Sequence, residues 1–349
     1  MYKNLTSFVP SFKQKLLAVN IDNIASDILV KNYLQSVFEQ QDYYIKIYCW
    51  VLENALSKTN KQIHQISFLD FGCGNGLFAI FAKHCGFGKV YGCDFNENFV
   101  AAARLLASAM NVEVDDWFVC NENNLYKKCN NLQLDIVAGT DVIEHIYNLN
   151  IFFSNIRLLN NKMITAFTTA SVYENYFKRN SLYKLMYQDE HIGSNILEAT
   201  SKDEYAGLAY FEIRKLIIQK QFPQLKQETV LQLATATKGL RKEDIVELVN
   251  TYLQDRAIKN IQQNDHNTCD PITGNFTERV LQIKDYKLLY NQNNFVLQVK
   301  SGFYSAAGNG LKSFIQKCLN KVIIIFKNTL FSKSVSPLIL LIGVPKTSN

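Results

Sequence analysis

Residues 66–76 constrain the fold of this chain most strongly, because an apolar run there ends abruptly in alternating glycines. The run suits a buried strand that is covered on both faces. The glycines, which suit a tight turn close to a ligand, are Gly72, Gly74 and Gly76. Apolar residues from 77 to 82 then begin a helix. The segment predicts a strand, a glycine turn and a helix, with a small-molecule site at the carboxyl end of the strand.

Strand and helix patterns alternate from about residue 62 to residue 190. Further strands are predicted at 89–95, within 112–120, at 134–140 and at 163–169, with helices at 99–110 and 149–159. Repeated alternation of this kind predicts an α/β fold built on a parallel, doubly wound sheet.

The flanking patterns divide the chain into four parts. We predict an N-terminal helical cap at 1–60, a core at 61–190, a helical insertion at 191–275 and a part that completes the sheet at 276–349. The polar segment 262–275 is predicted to be the loop that returns the chain to the sheet. The last part contains a basic amphipathic helix at 311–326.

Composition excludes several classes of protein. The formal net charge is only +6, and the basic residues are dispersed, so nucleic acid is not an expected partner. The eight cysteines form no CxxC pair, which indicates reduced thiols and a cytoplasmic protein. No apolar run has the length of a transmembrane helix or of a signal peptide core, although peripheral contact of the basic helix with a membrane stays open.

Two carboxylates indicate the charge of the ligand at the glycine turn. Asp70 precedes the first glycine by two residues, and a carboxylate there repels a pyrophosphate but attracts a sulfonium or ammonium group. Asp94 ends the second strand, about twenty residues past the turn, and suits the two hydroxyls of a ribose. The third glycine also comes too early for the dinucleotide fingerprint. A cationic ligand with a ribose and no phosphate is S-adenosylmethionine.

Three segments in order resemble the motifs of class I, Rossmann-like S-adenosylmethionine-dependent methyltransferases. They are 69–76, 92–95 and 135–146, and the likeness covers about 65–170. The last strands also resemble the terminal reversed hairpin of that family, which implies one antiparallel strand at the end of a mostly parallel sheet. The resemblance implies a cofactor site formed by Asp70, Gly72, Cys73, Gly74, Asp94, Phe95, Glu122, Thr140 and Asp141.

Within that site, the resemblance assigns a part of the cofactor to each group. Asp70 and the backbone of the first two glycines would hold the methionine end, Asp94 the ribose and Phe95 the adenine ring. Glu122 or its neighbour Asn121 would reach the adenine amine, and Thr140 would contact the cofactor through its backbone.

The segment from Asp141 to His145 is the first candidate for catalysis. At the start of a helix, Asp141, Glu144 and His145 would share one face near the methyl group. His145 then suits a general base. The Glu-His pair also resembles the ubiquinone-pathway O-methyltransferases and small-RNA 2′-O-methyltransferases, in which a divalent metal binds. A third interpretation is a helix cap with a satisfied histidine.

His191 is the second candidate base, in a loop predicted after the fifth strand. Nearby aromatic residues, Tyr173, Tyr176 and Phe177, suit either an acceptor wall or core packing. The segment 269–279 resembles methyltransferases found among bacterial surface-glycan enzymes, with polar groups that suit sugar hydroxyls.

The sequence thus predicts a cytoplasmic methyltransferase. The expected acceptor is a small hydroxylated molecule, a saccharide or glycan precursor methylated on oxygen. Two alternatives are a quinone-like or lipid-like phenol as acceptor, and a module that binds the cofactor without catalysis.

Overall fold

The computed structural model describes residues 4–25, 27–193, 205–255, 257, 266–327 and 329–346. The strands are β1 to β7, in chain order: Ser67–Phe71, Lys89–Asp94, Asp116–Val119, Ile136–Thr140, Ile164–Thr169, Phe295–Ser301 and Ile339–Pro345. The helices are α1 to α14, in chain order: Val9–Leu17, Ile28–Glu39, Gln41–Leu56, Leu77–His84, Glu97–Ala109, Leu125–Cys129, Leu149–Leu159, Tyr176–His191, Tyr210–Gln221, Gln227–Ala236, Lys242–Asp255, Ile283–Gln292, Leu311–Ile325 and Leu330–Ser334.

The strands form one sheet in the order β3-β2-β1-β4-β5-β7-β6. Strands β1 to β5 pair in parallel, whereas β7 runs antiparallel to both β5 and β6. The predicted fold class, a doubly wound and mostly parallel sheet with a terminal antiparallel strand, is confirmed. Because β1 pairs with β2 on one side and β4 on the other, the chain reverses direction across the sheet beside β1. Parallel α/β sheets bind ligands at such a point, outside the carboxyl ends of the strands.

The chain separates into two compact units. The first contains Met1–Ile143, Asn148–Glu174 and Gln282–Asn349, and the second contains Glu144–Tyr147 and Asn175–Leu281. The four-part division predicted from the sequence stays a prediction, because the two units are defined by contacts and not by function. In the predicted return loop at 262–275, residues 262–265 lie outside the described residues.

The core of the first unit joins the sheet to the N-terminal helices. The ring of Phe81 contacts those of Phe12 and Tyr48, and Tyr48 stacks on Phe78 at 4.8 Å between ring centroids. All four side chains are buried. Large aromatic side chains contribute much of the stabilisation of a core through their buried area. Helices α1 and α3 are therefore integral to the core of this unit.

The core of the second unit is built by helices alone. Ile213, Ile217 and Ile218 of α9 pack with Val230 and Leu233 of α10, and α11 adds Ile245 and Val249. The apolar stripe predicted for 242–253 falls on α11, where Ile245 and Val249 are buried. Among the described residues, no helix is both long enough and apolar enough to span a bilayer.

Candidate functional site

The glycine turn after β1 is shaped by close packing of the chain on itself. Gly72, Gly74 and Gly76 have φ of 70°, 51° and 81°. A Cβ at Gly72 would lie 2.2 Å from Cγ2 of Val142, and one at Gly76 would lie 2.4 Å from Cη2 of Trp117. Protein packing therefore requires glycine at positions 72 and 76, a reason that the sequence prediction, based on a ligand, did not contain.

Asp70 is buried at the end of β1 and is 1% exposed. Its Oδ2 accepts a hydrogen bond from the backbone N–H of Ala79 at 3.1 Å, so the carboxylate caps the first turn of α4. Burial raises the pKa of Asp70 well above its ordinary value; the Ala79 bond lowers it, and the charge of Asp94 raises it further. A carboxylate with these surroundings is stabilised in its charged form by a nearby cation.

Asp94 lies at the end of β2, next to the glycine turn. Its Oδ2 accepts a hydrogen bond from the N–H of Gly74 at 2.9 Å, and its Oδ1 accepts one from the N–H of Asn96 at 3.0 Å. The side chain is 7% exposed, and burial raises its pKa against the opposing effect of these bonds. The carboxylate is thus held in one orientation by backbone N–H groups of the turns after β1 and β2.

Asp141 follows β4 in a strained turn, and the prediction that it begins a helix is wrong. Its φ is 51°, and its N–H donates to the carbonyl oxygen of Thr168 at 3.3 Å. Helix α7 begins instead at Leu149, where the side chain of Asn148 accepts from the N–H of Ile151 at 3.0 Å. A non-glycine residue held in the left-handed region carries a local energetic cost and often marks a functional site.

Three tyrosines of the N-terminal helices lie within electrostatic range of Asp141. Burial is the main cause that raises the pKa of Tyr33, Tyr43 and Tyr44, and the charge of Asp141 also contributes to each increase. Tyr33 approaches the turn so closely that its Cε1 would lie 3.1 Å from a Cβ at Gly74. Their phenols are therefore neutral hydrogen-bond donors around neutral pH, and none of them suits a general base.

The other predicted cofactor residues lie in the turns after β1, β2, β3 and β4. Phe95 is 52% exposed directly after β2, whereas Glu122 is 8% exposed in the turn after β3. Cys73 is buried, and its N–H donates to the carbonyl oxygen of Cys93 at 2.9 Å. Thr140 ends β4 and pairs with Thr168. The parallel topology places all these positions at one edge of the sheet.

Glu144 and His145 belong to the second compact unit, whereas Asp141 belongs to the first. The ring Nδ1 of His145 lies 2.8 Å from the carbonyl oxygen of Phe276. Because a carbonyl only accepts, Nδ1 donates there, and Nε2 is the basic nitrogen of the neutral ring. Glu144 is 1% exposed, and its carbonyl oxygen accepts from the N–H of Arg279 at 3.0 Å.

His191 is the last residue of α8, so the prediction that it lies in a loop is wrong. Its side chain is exposed, and its ring lies 4.7 Å from that of Tyr187. The preceding residue, Glu190, is buried and forms an ion pair with Arg214. Sequence reasoning missed this pair, because nothing local connects two residues on different helices.

The segment 269–279 satisfies much of its own hydrogen bonding. Asp270 accepts from the N–H of Ile272 at 2.8 Å and from the hydroxyl of Thr273 at 3.0 Å. The guanidinium of Arg279 donates to the carbonyl oxygen of Tyr147 at 2.7 Å and lies 3.9 Å from the centroid of the Phe276 ring. These contacts hold the segment against Tyr147 within the second unit.

The part of the chain that the structure describes contains no preformed cluster of metal-ligating side chains. No group of three or more His, Cys, Asp or Glu side chains is placed there to hold a metal ion. The candidate residues Asp141, Glu144 and His145 do not form such a group.

Comparison with known proteins found a family match within the strands and helices of the sheet. Residues 69–161 match the family model described as "Methyltransferase domain". Over this segment the chain is similar to a methyltransferase domain. Its strand order, with β7 reversed between β5 and β6, is the class I, Rossmann-like arrangement predicted from the sequence, and that prediction is confirmed. The buried carboxylates of Asp70 and Asp94 beside the glycine turn fit a cationic cofactor with a ribose.

Curated relatives match the chain over a short segment. The ribosomal protein L11 methyltransferase of Burkholderia mallei is 56% identical over 36 residues, which is 10% of this chain and 12% of that protein. The protein of the same name from Paraburkholderia xenovorans is 53% identical over 38 residues, 11% of this chain and 13% of that protein. The chain therefore spans about an eighth of the length of these relatives.

Solved structures resemble the whole chain only weakly. The PH0226 protein of Pyrococcus horikoshii is 16% identical, with a TM-score of 0.43, and the match covers 88% of this chain and 92% of that one. The magnesium protoporphyrin IX methyltransferase of Synechocystis, solved with bound SAH, is 11% identical with a TM-score of 0.38, covering 90% and 87%.

Proposed function

We propose that the methyltransferase domain methylates an oxygen of a small hydroxylated acceptor, a saccharide or glycan precursor. The observation that carries this proposal is the exposed Asp141 in the turn after β4, with phenols of the N-terminal helices within its electrostatic range. Tyr33 lies against the glycine turn, and its phenol and that of Tyr44 are neutral donors, whereas the hydroxyl of Tyr43 donates to the carbonyl oxygen of Phe303. Neutral phenols and a carboxylate provide the donors and acceptors that orient a hydroxylated molecule.

The proposed cofactor site uses the residues at the carboxyl ends of the strands. Asp70 would face the methionine end, Asp94 the ribose hydroxyls, and Phe95 and Glu122 the adenine. Asn75 joins this set: it is 2% exposed, and its amide nitrogen has no hydrogen-bond partner within the described part of the chain. A buried donor without a partner costs stability, which an acceptor atom of the cofactor would restore.

S-adenosylmethionine supplies an electrophilic methyl group. When the acceptor oxygen bonds to that carbon, the bond from carbon to sulfur breaks and the sulfonium becomes a neutral thioether. The chain aligns the acceptor oxygen with the methyl group, so that a reaction between two separate molecules proceeds within one complex. It also receives the proton of the acceptor hydroxyl. His145 is the first proposed base, because its Nδ1 donates to Phe276 and Nε2 is therefore the basic nitrogen of the neutral ring. His191 and Glu144 are the other proposed proton acceptors.

The proposal is tested with labelled cofactor. The protein is incubated with methyl-labelled S-adenosylmethionine and separate polar and lipid extracts, and products are identified by mass spectrometry. We expect a labelled methyl ether in the polar fraction, stable to mild base. Label in the lipid fraction would support the second acceptor class below. Binding of S-adenosylhomocysteine without any labelled product would support a non-catalytic module.

Replacing Asp94 with alanine should weaken cofactor binding by roughly 1 to 3 kcal/mol, because charge-assisted hydrogen bonds to the ribose are lost. Titration calorimetry with S-adenosylhomocysteine measures the change. Glu97→Ala is the matched control, since it removes an exposed carboxylate three residues further along the chain and should leave the affinity unchanged. Equal affinities for Asp94→Ala and the unmodified protein would refute the ribose assignment.

Acidification should weaken binding of S-adenosylmethionine more than binding of S-adenosylhomocysteine. The pKa values of Asp70 and Asp94 are raised by burial, so these carboxyls take up protons at a higher pH than exposed ones. Both ligands carry an ammonium group, but only S-adenosylmethionine also carries the sulfonium charge. Its binding therefore favours the charged carboxylates more strongly and releases more protons. Calorimetry over a pH series measures the difference. Identical pH profiles for the two ligands would contradict this account of Asp70.

A second acceptor class, a quinone-like or lipid-like phenol, is favoured by a cavity in the sheet unit. The cavity has a volume of about 440 Å³ and apolar walls that include Trp50, Phe303 and Ile323. Tyr43 connects it to the phenols described above, because its hydroxyl donates to the carbonyl oxygen of Phe303 at 3.2 Å. Activity that is lost in excess chelator and in Glu144→Ala would support this class, with a metal at the Glu-His pair.

A further inference from the structure

Helix α13 turns polar side chains toward the protein, next to the buried Ile323. The hydroxyl of Ser313 donates to the carbonyl oxygens of Ala306 and Gly308, at 2.9 and 2.7 Å. The side chain of Asn320 accepts from the N–H of Tyr304 at 2.8 Å and donates to its carbonyl oxygen at 3.0 Å. Polar side chains of α13 are therefore used to bind the loop after β6.

The outward face of α13 is apolar. Leu311, Phe314, Ile315 and Ile325 recur at helical spacing and are 76%, 64%, 49% and 73% exposed. A helix of a globular protein ordinarily buries its apolar stripe and exposes its polar face. In α13 the inward side chains of Ser313 and Asn320 are polar and the exposed stripe is apolar, so an apolar environment outside the unit would match it.

The apolar surface continues beyond the end of α13. Leu330 and Phe331 of α14 are 70% and 52% exposed. The ring of Phe331 meets that of Phe326 edge to face, at 5.1 Å between centroids. Two consecutive helices thus present large apolar side chains to solvent. A continuous apolar surface of this kind differs from the single exposed apolar residues that are normal on a protein surface.

Lysines flank this surface, and acidic residues are absent from the sequence around it. At 3.6 residues per turn, Lys312 borders one side of the apolar stripe of α13, and Lys317 and Lys321 border the other. The sequence from 286 to 349 contains no Asp or Glu and no Arg, but it contains eight lysines: Lys287, Lys300, Lys312, Lys317, Lys321, Lys327, Lys333 and Lys346. The charge of this region is therefore positive throughout.

We infer that α13 and α14 bind the surface of an anionic lipid bilayer, with the apolar stripe in the headgroup region. An apolar stripe flanked by lysines is the pattern of interfacial helices: the stripe enters the lipid boundary and the lysines contact anionic headgroups. Two like-charged copies of this surface would repel each other, which disfavours a symmetric dimer. The bilayer is the occupant that matches both the apolar stripe and the positive charge.

The experiment is co-sedimentation of the full chain with two kinds of vesicle. We expect binding to vesicles that mix phosphatidylcholine and phosphatidylglycerol, and much weaker binding to phosphatidylcholine alone. The double variant Phe314→Ser with Ile325→Ser should reduce the partition coefficient by about tenfold or more, because two apolar side chains no longer insert. Lys317→Gln with Lys321→Gln should reduce both the binding and its sensitivity to salt.

Leu288→Ser is the matched control, since Leu288 is also exposed, at 58%, but lies on α12. It should bind vesicles like the unmodified protein. Binding of S-adenosylhomocysteine is measured for every variant, so that loss of the fold or of the cofactor site is distinguished from loss of membrane binding. Absence of binding to the anionic vesicles would overturn the inference. Dimerisation that sedimentation velocity shows to be abolished by Phe314→Ser would assign the surface to a second copy instead.

Discussion

Arg214→Met should destabilise the helical unit by about 3 to 5 kcal/mol, because it leaves a charged carboxylate buried without its partner. Arg214 is 0% exposed and Glu190 is 2% exposed. The guanidinium donates to both oxygens of Glu190, at 3.1 and 2.5 Å, and to the carbonyl oxygen of Ala234 at 2.9 Å. Urea denaturation of the full chain, with hydrogen exchange of α9 and α10, measures the loss.

The pair also predicts a sign for the effect of pH. Burial raises the pKa of Glu190, but the hydrogen bonds and charge of Arg214 outweigh it and hold the pKa below its ordinary value. The pair therefore adds fully to the free energy of unfolding at pH values above about 4.3, the pKa of a glutamate in the unfolded chain. This stabilisation is lost as the pH falls through the lower pKa that Glu190 has in the folded protein.

Two further variants test this account of the ion pair. Replacing both partners, Glu190→Leu with Arg214→Met, should recover much of the stability, since no charge is then buried. Lys215→Met is the control, because Lys215 pairs with the partly exposed Glu212 and its loss should change stability little. A double variant no more stable than Arg214→Met would contradict the explanation from the uncompensated charge.

Gly76→Ala should destabilise the sheet unit by about 2 to 5 kcal/mol. Part of this cost comes from a left-handed φ of 81°, and part from a Cβ that would lie 2.4 Å from Cη2 of Trp117 and 2.7 Å from Cβ of Ala103. The indole is packed in the core and is 5% exposed, so it cannot move away freely. Thermal denaturation measures the change.

Gly86→Ala separates the two parts of that cost. Gly86 has a φ of 91°, but a Cβ there would meet nothing within 4 Å. The free energy of unfolding of this variant should fall by about 1 to 2 kcal/mol, the cost of a left-handed φ in a residue with a Cβ. Equal losses for Gly76→Ala and Gly86→Ala would show that the contact with Trp117 carries no cost.

Local patterns were sufficient to predict the centre of the fold. The buried strand, the glycine turn and helix α4 form one continuous segment, so their interactions are close in sequence. The same is true of the acidic residues that end β1 and β2: Asp70 and Asp94 are found where the strand pattern placed them. Their assigned roles toward the cofactor stay predictions.

Interactions between segments that are distant in sequence determined the local structure wherever the sequence pattern predicted it wrongly. The spacing from Asp141 to His145 suits a helix, but hydrogen bonds override it: the N–H of Asp141 donates to Thr168, and the carbonyl of Glu144 accepts from Arg279. The loop predicted at His191 is likewise replaced by the end of α8, beside the buried ion pair of Glu190 with Arg214.

The sequence by itself determined the strand, turn and helix at residues 66–84 and the acidic character of the ligand site, because a strand, a turn and the charges that follow it are local properties of the chain. Only the tertiary structure brought the phenols of the N-terminal helices within electrostatic range of Asp141 and turned Ser313 and Asn320 of α13 inward. These features depend on which surfaces meet after folding, and the periodicity of a single segment does not encode its partner.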